Sequence, residues 1–267
     1  MCVKRASGAA ALSLACLGLG LAGTSAVDFL EQINRQVHPL LETARIAPDP
    51  DHTPQIKVPR IVEMANEVMV TVNVPLHGDE NHYIRRLALV DENSMVQVKY
   101  IATFSPQVQP VQVITFIKMA KDSRLKAIAE CSLHGKWVGV SEPVRVGIGG
   151  CGFGQEPSRK LAGEVLRVRF EEEGPGIKLR ALFRHPMIPG YMLNEQGRAF
   201  KSSEPFFLER MRLHHQGKVL AEFELSPGLS ENPQIALWLP RLDSEPVQLE
   251  AINTDQQRFS LSARMPR

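Results

Sequence analysis

The chain has 267 residues, of which 43% are hydrophobic and 22% are charged, and its formal net charge is +2 at pH 7. This composition is too apolar for a disordered chain, and the net charge is too small for a protein that binds nucleic acid mainly through its positive charge. Four cysteines are too few for a disulfide scaffold, and no CxxC pair suggests a structural zinc site. The sequence therefore predicts a globular protein of one or two domains.

Residues 1–26 have the pattern of a secretory signal peptide. Lys4 and Arg5 precede an uncharged run over 6–22 that is short for a membrane span, and small residues at 24–26 suit cleavage before Val27. Lipidation at Cys16 is disfavoured, because the usual leucine three residues earlier is absent. We expect a periplasmic protein with no membrane span after cleavage.

Cleavage changes the composition of the chain. Removing 26 of 267 residues leaves 241, with 29 basic residues against 29 acidic ones once Lys4 and Arg5 are gone. Two cysteines remain, Cys131 and Cys151. The absence of net charge argues against a nucleic-acid partner.

The mature chain opens with a predicted helix and connector over 27–59. Asp28 can cap the helix, Glu31 completes a capping box, and Pro39 limits its length. From Arg45 to Pro59 the composition turns to proline, aspartate and threonine, which predicts an extended connector rather than a packed element.

Beyond the connector the hydrophobic period changes from 3.6 to 2, which predicts an all-β protein of two immunoglobulin-like antiparallel β-sandwich domains. The first domain covers 60–150 and the second 164–267, with a glycine-rich linker at 149–163 between them. Strands are predicted at 68–74, 84–90, 96–104, 111–119, 126–131 and, as a pair, within 137–148. The second set is predicted at 165–170, 177–183, 207–213, 219–225, 235–239, 247–252 and 258–262.

The linker carries a cysteine among glycines, Gly149-Gly150-Cys151-Gly152-Phe153-Gly154. Glycines add little bulk and leave the backbone free, so they form a flexible mount from which the thiol can enter a narrow site elsewhere. No histidine lies close in sequence, since His134 is 17 residues upstream, although folding can bring in a base. A thiol presented on glycines is therefore more typical of a handle than of a catalyst, and we expect no catalytic residue, cofactor or metal.

The same glycines match the spacing G-x-G-x-x-G at Gly147, Gly149 and Gly152. A dinucleotide-binding fingerprint requires a helix after the glycines within a βαβ unit. Here Pro157 and a new strand follow, so this interpretation is disfavoured.

Other candidates have simpler explanations. Cys131 is expected to be a buried, inert cysteine in a strand, or else to form a redox-active disulfide with Cys151. His214 and His215 are adjacent on a strand and point to opposite faces, which makes a poor chelate. His77 and His82 flank a turn and can meet a surface metal, but a solvated loop is the simpler expectation.

Two further motifs are also interpreted structurally. His185-Pro186-Met187 contains two residue types that can bind haem iron or copper. The nearby Pro189-Gly190 indicates more simply that a loop begins here. Glu171-Glu172-Glu173 before Gly174-Pro175-Gly176 reads as a charged hairpin turn.

The segment from Val144 to Gly152 resembles the carboxy-terminal motif of SoxY, and the strands leading to Ala127-Ile128-Ala129-Glu130 fit its sandwich. The second domain resembles SoxZ. The residues that carry this second resemblance are 177–182, 185–187, Gly197, 206–211, 225–227 and 230–233. The order of the two domains is similar to fused SoxYZ-like carriers associated with quinoprotein dehydrogenases.

The resemblance implies that Cys151 holds oxidised sulfur intermediates covalently in the periplasm, with Gly149, Gly150, Gly152 and Gly154 as its mount. The implied partners are sulfur-oxidation enzymes or cytochromes, or a quinoprotein dehydrogenase, beside docking between the SoxY-like and SoxZ-like domains of the chain itself. In separate SoxY chains the motif ends the polypeptide, whereas here the chain continues, which reduces the reach of the thiol. Two alternatives stay open, a thiol-disulfide redox protein using Cys131 and Cys151, and an adaptor that carries nothing.

Overall fold

The computed structural model describes Arg35, Pro39 and residues 41–45, 47–148, 159, 165–193 and 199–265. The first half contributes β1 (Gln55–Lys57), β2 (Ile61–Met64), β3 (Val68–Val74), β4 (Ile84–Asp91), β5 (Val98–Phe104), β6 (Val111–Ile117), β7 (Leu125–Cys131), β8 (Gly135–Val140) and β9 (Arg145–Ile148). The second half contributes β10 (Leu166–Glu173), β11 (Gly176–Phe183), β12 (Tyr191–Leu193), β13 (Ala199–Lys201), β14 (Leu208–His215), β15 (Lys218–Leu225), β16 (Gln234–Pro240), β17 (Val247–Asn253) and β18 (Arg258–Ala263). The predicted all-β fold is confirmed.

Burial along the strands follows the period that the sequence showed. In β3 the valines at 68, 70, 72 and 74 are buried, while the residues between them are partly or fully exposed. β6 alternates in the same way, whereas β4 is buried over most of its length. The alternation places the apolar side chains of both halves in one hydrophobic core.

The two halves share both of their large sheets. The six-stranded sheet has the order β1-β3-β6-β16-β11-β10, and the eight-stranded sheet has the order β18-β17-β14-β15-β5-β4-β7-β8. β6 pairs antiparallel with β16 in the first sheet, and β5 pairs antiparallel with β15 in the second. The two predicted sandwiches are therefore joined edge to edge, which satisfies backbone groups that isolated edges would leave open.

A buried ammonium group lies where the two halves meet. Lys99 and Asp91 have no exposed side-chain surface, and their charged groups are 3.9 Å apart. The Lys99 Nζ donates to Ser94 Oγ and Val96 O at 3.0 Å and to Lys118 O at 2.8 Å. These acceptors compensate for the removal of the charge from water, as a buried ammonium requires.

Side chains also bond directly across the junction. The Ser226 hydroxyl, just after β15, donates to the Val98 carbonyl of β5. In the opposite direction, Lys118 Nζ donates to the Met187 carbonyl at 2.6 Å. The loop that contains Ser226 was among the residues resembling SoxZ, and its position shows that it helps to hold the halves together.

The connector prediction was wrong for part of 45–59. Gln55–Lys57 forms β1, which pairs with β3, and Arg45 forms a bridge with Trp137. His52 and Pro54 are buried. Proline and aspartate favour turns, which is why the composition predicted a connector. The contacts of this segment with β3 and β8 involve residues far away in the chain, so the local composition could not predict them.

Two other features differ from the prediction. β2 pairs with β9 in parallel, and a small β12–β13 hairpin was not foreseen. The helix predicted from Asp28 and the signal peptide fall mainly outside the described residues and stay predictions. Within the part of the chain that the structure describes, no helix has the length and apolar character to cross a membrane.

Candidate functional site

β9 is the last described element before the predicted carrier residue. Cys151 and the glycines Gly149, Gly150, Gly152 and Gly154 lie outside the described residues, so their roles stay predictions. β9 ends at Ile148, three positions before Cys151. The structure therefore defines how β9, the strand that leads to Cys151, is held in the first half of the protein.

Three contacts hold β9 at the surface. It pairs in parallel with β2, and the Val146 amide donates to the Asp122 carboxylate at 2.8 Å. Immediately before the strand, Val144 exchanges backbone hydrogen bonds with Ser123 at 2.9 and 3.1 Å. The thiol-bearing segment thus leaves from an anchored strand.

The strand beside β9 exposes large apolar side chains. Ile61 is 73% exposed and Met64 is 65% exposed, both on β2. Scattered exposed apolar residues are ordinary, but these two lie on the strand that supports the carrier segment. They form an exposed apolar surface beside β9, the strand that leads to Cys151.

Cys131 lies at the end of β7, whereas the residues that contact β9 lie before the start of β7. Asp122 and Ser123 precede β7, whereas Cys131 ends it, and a strand of this length spans about 20 Å. Its thiol is free and only 2% of the residue is exposed, so the predicted burial is confirmed. Its pairing with Cys151 stays a prediction.

Cys131 has three histidines around it, which sequence reasoning did not bring together. One ligand atom each from His52, His82, Cys131 and His134 lies within 4.8 Å of all the others. We call these four residues the His–Cys cluster. Cys131 and His52 are buried, His82 is half-buried and His134 is exposed, so the cluster opens to solvent on one side.

The fold assembles the cluster from three parts of the chain. Cys131 ends β7 and His134 lies in the turn to β8, while His82 lies two residues before β4, the partner of β7. His52 arrives through the 45–54 segment, which is fixed to β8 by the Arg45–Trp137 bridge. The His52 ring stacks on Trp137 with centroids 4.2 Å apart.

Ring nitrogens converge inside the cluster. His52 Nε2 lies 2.9 Å from His82 Nε2 and 3.3 Å from His134 Nδ1. The other nitrogen of His52, Nδ1, lies 2.7 Å from the Asp49 carboxylate. That hydrogen bond lowers the pKa of the Asp49 carboxyl and places the proton of a neutral His52 ring on Nδ1, which leaves Nε2 with a lone pair.

The remaining sequence candidates have structural partners. His215 Nε2 lies 2.9 Å from an Asp243 oxygen, and His214 Nε2 lies 3.7 Å from a Glu250 oxygen, so the two rings do not share a ligand site. His77 is exposed, whereas its neighbour across the turn, His82, belongs to the cluster.

The other two motifs are also structural. His185 is fully buried, with Nδ1 2.6 Å from the Pro186 carbonyl and Nε2 3.1 Å from Asn253 Nδ2. Glu171, Glu172 and Glu173 end β10 before the β10–β11 turn and pair with basic side chains, as expected for a charged hairpin.

One local signal for the cluster was present in the sequence. Cys131 and His134 are separated by two residues, a spacing that suits two ligands on one turn. The other two members are 49 and 79 positions before Cys131, and only strand pairing brings them close.

Two family models match the chain. The model described as sulfur oxidation protein SoxY matches residues 42–151, and the model described as sulphur oxidation protein SoxZ matches residues 166–264. The SoxY match begins at residue 42, within the predicted helix and connector over 27–59, and ends at Cys151. No curated protein sequence gives a significant match.

Similar solved structures cover the chain only in part. The sulfur carrier protein SoxY from Chlorobium limicola f thiosulfatophilum is 20% identical, with 44% of this chain and 98% of that chain covered and a TM-score of 0.34. The superoxide reductase (neelaredoxin) from Ignicoccus hospitalis is 28% identical, with 36% and 81% covered and a TM-score of 0.33. A putative superoxide reductase from Thermotoga maritima is 20% identical, with 40% and 97% covered and a TM-score of 0.34.

Both family models fall on the two halves of the joined sandwich, in the order that the sequence predicted. The first includes β1 to β9 and ends at the predicted carrier cysteine, and the second includes β10 to β18. The chain is a SoxY–SoxZ fusion and belongs to the SoxYZ sulfur-oxidation carrier family.

Proposed function

We propose that the protein is a periplasmic carrier that holds oxidised sulfur intermediates covalently on Cys151 while partner enzymes process them. The observation that carries this proposal is the SoxY family match, whose last residue is Cys151. The free thiol of Cys131 is buried, which leaves Cys151 as the cysteine suited to carry cargo. The protein would supply an attachment point rather than a catalytic group.

The chemistry of attachment implies an external oxidant. Joining thiosulfate to a thiol forms an S–S bond and releases one proton and two electrons. Within this proposal a partner such as a cytochrome accepts the electrons. Hydrolysis of the resulting sulfonate by a second partner releases sulfate and leaves a persulfide on the carrier.

The anchored start of the segment limits how the cargo is presented. Cys151 is three positions after Ile148, which allows about 10 Å of extended chain. A partner must therefore approach β9 closely, and the exposed Ile61 and Met64 on β2 are suited to contact it. Candidate partners are sulfur-oxidation enzymes, cytochromes or a quinoprotein dehydrogenase.

Intact mass analysis tests the proposal on protein isolated from the periplasmic fraction of a host that oxidises sulfur compounds. We expect a chain that begins at Val27 and carries sulfur adducts that a reductant removes. Cys151→Ser should abolish the adducts, while the matched control Cys131→Ser should retain them.

Other outcomes would favour the alternatives. A loss of two mass units that either substitution abolishes would indicate a Cys131–Cys151 disulfide and a redox protein. Wild-type protein without any adduct, in a host where Cys151→Ser supports the same sulfur oxidation, would leave the adaptor as the better description.

A further inference from the structure

We propose that the His–Cys cluster of His52, His82, Cys131 and His134 is a binding site for a transition-metal ion. The site does not include Cys151, and its ligands are three imidazole nitrogens and one thiolate. This donor set suits ions of intermediate softness such as Zn²⁺, Fe²⁺ or copper, and it disfavours Mg²⁺ and Ca²⁺.

The spacing of the ligand atoms fits one ion. At the metal–nitrogen distances usual for Zn²⁺, the nitrogens of a tetrahedral site are about 3.3 Å apart. In the cluster the corresponding separations from His52 Nε2 are 2.9 and 3.3 Å, and all four ligand atoms lie within 4.8 Å of one another. Side-chain movements of up to about 1 Å would bring the more distant ligand atoms to the separations of a tetrahedral site.

Hydrogen bonding alone accounts poorly for this arrangement. With its proton on Nδ1 facing Asp49, the His52 ring has a single lone pair at Nε2, yet two ring nitrogens from His82 and His134 approach it. One hydrogen bond can satisfy only one of them. A cation placed between the rings interacts favourably with all the lone pairs at once.

Asp49 gives the cluster the outer support that metal-bound histidines usually have. Its carboxylate accepts from the ring of His52 and also from the backbone amides of Asp51 and His52, at 3.0 and 2.9 Å. A ligand histidine typically gives its second ring N–H to such a carboxylate, which fixes the orientation and tautomer of the ring. Asp49 is therefore assigned as a positioning residue of the site.

A second carboxylate shapes the loop of His82. Asp79 Oδ1 accepts from the backbone amides of Asn81 and His82 at 2.8 and 2.9 Å, and the Asp79 amide donates to the His82 carbonyl. The cluster thus has fixed positions at His52, His82 and Cys131. His134, which is exposed, closes the site from the solvent side.

The test uses the mature chain carrying Cys151→Ser, so that no metal or sulfur species binds at the carrier position. After treatment with a chelator, the protein is titrated with Zn²⁺ by calorimetry and with Co²⁺ by absorption spectroscopy. We expect one equivalent of each ion, and for Co²⁺ a thiolate-to-metal charge-transfer band with the visible bands of a four-coordinate ion.

Variants separate the cluster from incidental binding. Cys131→Ser should remove the charge-transfer band, and His134→Ala, at an exposed position that folding tolerates, should weaken binding at least tenfold. Asp49→Asn should weaken it about tenfold to hundredfold, as loss of outer-shell support does in other metal sites. His77→Ala is the matched control and should bind like the parent.

Two results would overturn the proposal. One is a parent protein that binds neither Zn²⁺ nor Co²⁺, which would make the cluster a hydrogen-bonded group of histidines only. The other is binding that Cys131→Ser and His134→Ala leave unchanged. Because Cys151 is absent from every chain in this test, failure here would leave the proposed carrier function untouched.

Discussion

His52 and His185 are both buried, but their ring nitrogens have different surroundings. One nitrogen of His52 faces two other imidazoles, whereas both nitrogens of His185 have neutral hydrogen-bonding partners, the Pro186 carbonyl and the Asn253 amide. Burial lowers the pKa of His185, against smaller opposing effects of the Pro186 carbonyl and Asp255. The first histidine is suited to a ligand, and the second is a structural part of the SoxZ-like half.

The lowered pKa of His185 predicts that acid destabilises the protein. Below about pH 6.5 the unfolded chain binds a proton at this ring while the folded chain does not, so stability falls as the pH falls, by at most about 1.4 kcal/mol per pH unit. Urea denaturation between pH 7 and 5 should show a steeper loss for the wild type than for His185→Gln. Equal slopes would contradict the prediction, and an NMR titration of the His185 ring checks it without a substitution.

At the scale of elements, the 45–54 segment and β8 determine whether the His–Cys cluster can form. The backbone of Arg45 bonds to Lys136 and Val138, and Pro54 passes directly over Gly139 of β8. A side chain at 139 would have no room, because a Cβ there would lie 1.9 Å from the Pro54 carbonyl oxygen. The glycine therefore permits the close approach that carries His52 to Trp137.

Gly139→Ala should displace the segment that carries His52. We expect a loss of about 1–3 kcal/mol in the free energy of unfolding, as overpacking typically gives, together with weaker Co²⁺ binding at the cluster. Gly147→Ala is the matched control, because a Cβ there meets Val62 O only at an ordinary 3.6 Å. If urea denaturation and Co²⁺ titration gave the same result for both variants, the proposed role of the close approach would be wrong.

At the scale of the whole molecule, the two family domains are parts of one folded unit. Both large sheets cross the junction, and the buried Lys99 lies beside the Ser226 loop of the second half. Separating the halves would expose four strand edges and break the hydrogen bonds that Ser226 and Lys118 make across the junction. This arrangement predicts that neither half unfolds alone.

The two tryptophans can test this cooperativity, because Trp137 lies in the first half and Trp238 in the second. In Trp238→Phe, fluorescence reports only the first half, whereas far-UV circular dichroism reports both. The two urea denaturation curves should coincide in this variant and in Trp137→Phe. Separate transitions, or a biphasic dichroism curve, would show that the halves unfold independently.

The local features of this protein could be predicted from its amino-acid sequence. Strict alternation, as in the valines of β3, predicted the strands because side chains on a strand point to opposite faces. The glycines around Cys151 and the residues similar to SoxZ were sufficient to indicate the carrier family. Each of these signals is carried by residues close together in the chain.

Contacts between residues far apart in the chain could not be predicted in this way, because they depend on how the strands pair. β5 pairs with β15 and β6 pairs with β16 through strand edges that are unpaired within each half. The alternation of apolar residues along a strand does not depend on which strand pairs with it. His52 looked like part of a connector and His82 like part of a solvated loop, until the fold placed both beside Cys131 and His134. Periodicity records which side of a strand is buried, whereas the register between strands decides which side chains become neighbours.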